Sequence, residues 1–231
     1  MIWEWDESTF GKKGKIMNEK QKRLRRIIID VAYVNKLNHI GSALSCVDLI
    51  SNIYDKMGPR DIFVLSKGHA ALSWLAVLYD RKIITRSQLY SMCVNGSEFG
   101  AHVGVNKDIG SHVITGSLGN GLSVAAGIAL GDRSRNVYVV CGDGECDSGL
   151  YYETARFVER LELTNYFLYV DKNGLQGYDK THLSGIDGLD WYPIPVLTTK
   201  GSGVSFMQDN NAWHYKKLSQ DEYLAAMEEL K

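Results

Sequence analysis

Proline is scarce, at three in 231 residues, and only 23% of residues are charged, which excludes a disordered or low-complexity chain. No sign of charge dominates. Lys plus Arg number 26 and Asp plus Glu 27, a net charge of -1, so a nucleic-acid binder acting through bulk positive charge is excluded. No apolar run approaches the roughly 18 residues that span a bilayer, so no membrane partner is expected. The N-terminal stretch MIWEWDESTFGKKGKIM lacks a continuous apolar segment and does not read as a secretory signal. Cysteine is limited to Cys46, Cys93, Cys141 and Cys146, with no CxxC pair and no zinc spacing. Four free thiols in a reducing cytoplasm is the plain reading. What is present is enough to fold: the apolar share is 45%, and the length suits one large domain.

Residues 1–17 read as an irregular arm carrying Trp3, Trp5 and Phe10, and 18–231 as a single domain. The spacing of Leu24, Ile27, Ile28, Val31 and Val34 predicts a helix over 18–37, capped by Asn18. NHIGS (38–42) breaks that pattern, and a second helix is expected over 45–57. IFVL (62–65) reads as a buried strand, with helical stretches at 69–80 and 86–94. Residues 95–117 form a long Gly-, His- and Ser-rich loop, a kind more often functional than idle. The small, apolar 118–131 suits a tightly packed helix. Strand 136–142, helix 148–163 and strand 165–171 then make a βαβ unit. That unit predicts an α/β fold, a parallel sheet flanked by helices on both faces. A short strand at 195–199 and a final helix at 219–230, capped by Ser219 with Glu222 in capping-box position, complete the chain.

The segment GDGECDSG (142–149) lies where a strand ends and a helix begins, the place where open parallel sheets bind ligands. Glycine lets the backbone approach a phosphate, and a helix N-terminus offers N–H groups to an anion. Asp143 can hold a divalent cation, and Asn173, at the end of the next strand, adds a neutral oxygen, a set that suits magnesium or calcium. Alone, GDG is only a turn. GDG after one strand with Asn173 after the next points to a cation and a diphosphate. A dinucleotide fingerprint fits poorly, because Gly142, Gly144 and Gly149 misplace the third glycine and Asp143 would repel a bare pyrophosphate.

Six histidines occur: His39, His69, His102, His112, His182 and His214. His39, His69 and His102 sit in glycine-containing breaks, and His214 sits in NNAWHY. As a group these four suggest a polar pocket that moves protons near neutral pH.

These segments, in this order, resemble the N-terminal, diphosphate-binding domain of transketolases. DIFVLSKGHA resembles that family's D-R-F-V-L-S-K-G-H-A, and TGSLGNGLSVAAGIAL its T-G-S-L-G-Q-G-L-S-V-A segment. GDGECDSG with VDKNGLQ resembles its thiamine diphosphate signature, and TTKGSGVSFMQDNNAWHYK the close of its domain. The resemblance implies thiamine diphosphate as cofactor and a divalent metal, Mg2+ or Ca2+, held by Asp143, Asn173 and the carbonyl of Leu175. It implies that Gly144, His69 and His214 contact the diphosphate or line its edge, that Gly142 and Asn173 also bind the cofactor, and that Gly116 and Leu118 lie along the cofactor rings. It gives His39, His69, His102 and His214 the catalytic contacts to a sugar or sugar-phosphate substrate, and it puts Glu153 at a subunit interface.

The chain stops at Lys231, where a full transketolase continues into a pyrimidine-binding domain. The expectation is therefore a small subunit of a split transketolase, partnered by a pyrimidine-binding subunit in a dimer of heterodimers. Residues 173–201 are shorter than in the family, so an edge element is expected to be lost there or the segment to cover a partner, with Trp191 and Tyr192 as candidate contacts and buried packing as their plainer reading. Asp147-Ser148 replaces the family's Gln-Glu, Val103 replaces a proline and Tyr215 a glycine, which points to an altered coupling and an unusual substrate such as a branched sugar or glycan precursor. Two other readings stand beside this one: a non-catalytic assembly or regulatory subunit, and a thiamine enzyme acting on a 2-keto acid.

Overall fold

Four apolar segments build one parallel sheet, in the order β1 (Ile62–Leu65), β2 (Val137–Gly142), β3 (Tyr166–Lys172) and β4 (Ile194–Leu197). The register sets Val64 beside Val139, Val139 beside Leu168 and Val170 beside Pro195. This computed structural model describes residues 17–181 and 193–231. Seven helices complete the described part: α1 (Glu19–Val34), α2 (Ile40–Lys56), α3 (Ala71–Asp80), α4 (Arg86–Tyr90), α5 (Asn120–Gly131), α6 (Gly149–Arg160) and α7 (Gln220–Glu229).

Because successive strand residues face opposite sides, the sheet feeds two cores. Phe63, Leu65, Val140, Tyr169 and Val196 point to one face, which α1, α2, α3 and α7 cover. Ile62, Val64, Val137, Val139, Cys141, Leu168 and Val170 point to the other, which α5 and α6 cover. Burial on both faces explains why the strands read as continuous apolar runs rather than as alternating ones. The expected two-faced α/β architecture is what the chain adopts.

The ends of the helices follow local chemistry. Asn18 and Gln21 form a reciprocal capping box on α1, and Ser219 and Glu222 form the expected one on α7. Two boundaries differ from expectation. NHIGS does not interrupt the chain for long, since α2 begins at Ile40, with His39 in a left-handed conformation at its cap. The small Gly41 is needed inside this helix, because a Cβ there would lie 3.3 Å from both Lys200 Cγ and Trp213 Cβ. The stretch 86–94 is helical only to Tyr90. Cys93 takes a positive φ and its N–H turns to the Phe99 carbonyl, 2.7 Å away.

The four cysteines are free thiols. No helix among the described residues is long and apolar enough to cross a membrane. Met17, at the edge of the expected arm, packs on the α1 side of the core. Trp3, Trp5, Phe10, His182, Trp191 and Tyr192 lie outside the described residues. The shortened segment still leaves an edge strand, since β4 pairs with β3.

Candidate active site

At the carboxyl end of the sheet, Lys67 follows β1, Asp143 follows β2, and Leu175 and Gln176 follow β3; together they line a cleft of about 520 Å3. His39, His69, His102, Gly116, Leu118, Gly142, Gly144 and His214 line the same cleft. The sheet thus gathers residues spread over the whole chain.

The expected cation donors are tied to one another by backbone bonds. Asp143 Oδ2 accepts the N–H groups of Asn173 at 2.9 Å and Gly174 at 2.6 Å. Asn173 Oδ1 accepts the Leu175 N–H at 3.1 Å. Burial pushes the Asp143 carboxyl above its ordinary range, and the nearby Asp171 adds to the shift. A bound cation would relieve both effects. One carboxylate, one amide oxygen and one carbonyl are hard donors that fit magnesium or calcium. A diphosphate also fits, because Gly144 keeps the loop close to Gln176, where a Cβ would come within 3.1 Å, and the Lys67 ammonium group on the cleft wall supplies positive charge.

The N–H groups at the end of β2 and at the start of α5 have a protein acceptor. The Glu145 side chain turns back and accepts the N–H groups of Gly142 at 2.9 Å and Gly119 at 3.1 Å, and the Ser66 hydroxyl at 2.7 Å. A short 3-10 turn, Asp143–Asp147, follows β2. Only after it does α6 begin, with its first turn capped by Ser148, whose Oγ accepts the Tyr151 N–H. Ser148 also donates to the Glu145 carbonyl at 2.7 Å, so the residue that departs from the family pattern has a structural post here.

The four histidines of the glycine-flanked turns converge. The His39 ring centre lies 5.3 Å from that of His69, 5.9 Å from His102 and 5.0 Å from His214. His112 is exposed and does not line the cleft. Burial and the neighbouring histidine and lysine charges lower His39 to about 4 and His214 to about 3, and hold His69 well below the ordinary histidine range. Around pH 7 these three rings are therefore neutral. Each offers one N–H and one lone pair, which suits hydrogen bonding to hydroxyls and a carbonyl better than the expected proton traffic near neutrality.

Sequence reasoning passes over two lysines. Lys67 is buried, forms an ion pair with Asp171 and donates to Ser45 Oγ at 3.1 Å. Lys200 is buried and donates to the Gln176 carbonyl, Asn211 Oδ1 and His214 Nδ1. Each stands within three residues of a strand's carboxyl end, and that position is the signal that could have found them. Tyr215 and Tyr178 form the rim, with ring centres 5.8 Å apart, and Tyr215 stands 4.6 Å from His214. Val103 is buried beside His102, and Glu153 is exposed on α6.

Comparison with known proteins gives the family of the chain. Residues 17–187 match the family model described as the transketolase thiamine diphosphate binding domain. The chain is 30% identical to an apulose-4-phosphate transketolase subunit of Actinobacillus succinogenes, over 93% of this chain and 96% of that protein. It is 28% identical to a 6-deoxy-6-sulfo-D-fructose transketolase subunit of Clostridium sp., over 90% of this chain and 93% of that one. Human transketolase is 27% identical over 89% of this chain, which spans 40% of the human protein. Among solved structures, transketolase from Leishmania mexicana superposes with a TM-score of 0.79 at 21% identity, over 94% of this chain and 42% of that one. Transketolase from Campylobacter jejuni gives 0.78 at 19% identity, over 93% and 43%. The chain thus spans about two fifths of the length of these solved transketolases.

Proposed function

This chain belongs to the transketolase family through its thiamine diphosphate-binding domain, and from that premise we propose that it is the diphosphate-binding subunit of a two-chain transketolase. The complex moves a two-carbon ketol unit from a ketose or ketose phosphate to an aldehyde acceptor. The observation that carries this reading is one cleft in which His39, His69, His102 and His214 stand over the oxygen donors of Asp143 and Leu175. The neutral imidazoles of His39, His69 and His214 suit a polyhydroxylated substrate. Relatives named for apulose 4-phosphate and for 6-deoxy-6-sulfofructose support a specialised sugar as that substrate.

When bound, thiamine diphosphate supplies the nucleophilic carbon and the electron sink for breaking and re-forming a C–C bond. The chain does the rest. Asp143, Asn173 and the Leu175 carbonyl hold the divalent cation, magnesium or calcium. Lys67, Gly142, Gly144, His69 and His214 border the diphosphate, and the Gly116 and Leu118 backbone flanks the cofactor rings. The histidine N–H groups position the substrate's hydroxyls and carbonyl, and the closed assembly excludes water. The partner is a chain carrying a pyrimidine-binding domain, and the assembly is a dimer of heterodimers in the cytoplasm. Leu118 on the cleft wall is 60% exposed and Ile114 on the same segment 66%, apolar surface that such a partner would cover.

Asn173→Ala in the reconstituted complex tests the reading. Ketol transfer is expected to fall more than about 100-fold, since loss of even a residue supporting a metal ligand costs roughly 10- to 100-fold. Co-purification of the two chains is expected to persist. Undiminished activity would remove Asn173 from the metal site, and a wild-type complex active on pyruvate but not on ketoses would replace the proposed reaction.

A further inference from the structure

The Lys200 ammonium makes three short contacts, at 3.1 Å to the Gln176 carbonyl, 2.7 Å to Asn211 Oδ1 and 3.1 Å to His214 Nδ1. Asn211 is held in that sense because its Nδ2 donates to the Gly177 carbonyl at 3.5 Å. The lysine has little room to turn away. It is 1% exposed, and its stem lies against Gly41, where a Cβ would be 3.3 Å from Lys200 Cγ. His214 is also anchored, since its carbonyl accepts the His39 N–H at 3.0 Å.

An ammonium group has three donors and no lone pair. Two of its protons go to oxygen acceptors, and the third meets His214 Nδ1. A proton on Nδ1 would then face an N–H of a cation. Nδ1 must be the acceptor, and the single ring proton must sit on Nε2. That nitrogen is turned toward Gly177 on the cleft wall, 3.9 Å from where a Cβ of Gly177 would stand.

We infer that Lys200 is a positioning residue that locks His214 in the Nε2–H form, so that His214 serves the cleft as a fixed hydrogen-bond donor and not as a base. The inference deepens the ketol-transfer reading and rests on it for its catalytic consequence, although the tautomer itself does not. A neutral imidazole presenting N–H is suited to polarise a carbonyl or to hold a developing oxyanion without giving up its proton. The low affinity of His214 for a second proton, with Lys200 charge among its causes, agrees with this geometry.

The test is a long-range 1H–15N correlation spectrum of the full chain labelled in its histidines, with His214 assigned by His214→Asn. In the wild type, Nδ1 is expected to resonate as an unprotonated ring nitrogen and Nε2 as a protonated one. Lys200→Met keeps the stem and removes the donors, and is expected to raise the Nδ1–H form to a substantial fraction. Lys200→Arg, which donates and cannot accept, is expected to keep the wild-type pattern. In the complex, Lys200→Met is expected to lower kcat in proportion to the Nε2–H form lost, about 2-fold where half of His214 changes tautomer, with a smaller change in KM. A protonated Nδ1 in the wild type overturns the inference, as does an unchanged pattern in folded Lys200→Met. If Lys200→Met fails to fold, the wild-type spectrum alone decides. A complex inactive on ketoses whose His214 shows the Nε2–H pattern would sink the proposed reaction and leave this inference standing.

Discussion

Two ion pairs are buried among the described residues, and they face different surroundings. Arg25 on α1 grips Asp48 on α2 through two bonds, at 2.9 and 2.8 Å, while its Nε donates to the Ser202 carbonyl at 2.8 Å and Gln21 Nε2 donates to Asp48 at 3.1 Å. Everything this pair touches is scaffold: two helices and the loop behind them. Lys67 and Asp171 pair at the carboxyl end of the sheet, with Ser45, Thr198 and Asn173 also bonded to the Asp171 carboxylate. Burial opposes the charge on Lys67, but Asp171 together with other neighbours, Asp143 among them, raises the lysine pKa. Lys67 also lines the cleft and steadies Asp143. The comparison teaches that a buried charge pair says little about function until its remaining neighbours are counted. One pair closes a helix interface, and the other leaves a cation beside the expected metal and diphosphate.

The largest effect that tests this difference comes from breaking the scaffold pair. Asp48→Ala leaves the Arg25 guanidinium buried and unpaired, and is expected to cost about 3–5 kcal/mol in denaturant unfolding. Replacing both members, Arg25→Met with Asp48→Leu, is expected to recover most of that loss and to leave thiamine diphosphate affinity at the wild-type value. Lys67→Met with Asp171→Leu should recover stability in the same way but weaken thiamine diphosphate binding more than about 10-fold by calorimetry. If the two double variants bind the cofactor equally well, the contrast between the pairs is wrong.

A smaller effect uses the cleft histidines, which stand on the Lys67 side of this comparison. In the folded chain burial lowers His39 to about 4 and His214 to about 3, from an ordinary 6.5. As pH falls, the unfolded chain therefore takes up these protons first, and protonation favours unfolding. Stability from these groups is full above about pH 6.5 and is lost on the way down to about 4 and 3. The midpoint of thermal unfolding of the chain without cofactor should drop by several degrees between pH 6.5 and pH 4. His39→Asn combined with His214→Asn should flatten that slope, and an equally steep slope in the double variant would show that other groups cause it.

Much of this architecture is legible in the sequence because it rests on short-range rules. IFVL and the βαβ unit declare buried parallel strands by continuous apolar character, and Asn18 and Ser219 declare helix starts by their side-chain caps. The pairing of strand ends with Asp143 and Asn173 is legible for the same reason. The start of α2 is not, because Gly41 and Ser42 look like loop residues until Lys200 and Trp213 are packed against them. The lysines of the site are hidden for a related reason. A lysine in a sequence is by default a surface residue. Lys67 and Lys200 are buried only because acceptors distant in the chain, on Asp171, Gln176 and His214, surround their ammonium groups. Glu145 reads as part of a phosphate loop, yet its carboxylate folds inward to the N–H groups of Gly119 and Gly142, a contact that needs α5 in place.

The smallest expected effect comes from the rim of the cleft that Lys67 also lines. Tyr215 stands where transketolases that it resembles carry glycine, and its ring lies 5.8 Å from His39 and 4.6 Å from His214. Its neighbour Tyr178 is 90% exposed, so the two rings form an apolar edge beside a polar cleft. A sugar held by the histidines would present its C–H face to such an edge. An aromatic contact of this kind is worth about 0.5–1.5 kcal/mol, which corresponds to a change in donor KM of roughly 2- to 13-fold. Tyr215→Gly should therefore raise donor KM within that range and leave kcat near its wild-type value, because no reacting atom depends on the ring. The scaffold should not notice, since Tyr215 is 49% exposed and the unfolding midpoint is expected to stay put. A fall in kcat instead would mean that the ring orders His39 or His214, and would move Tyr215 from choosing the substrate to shaping the histidine cluster.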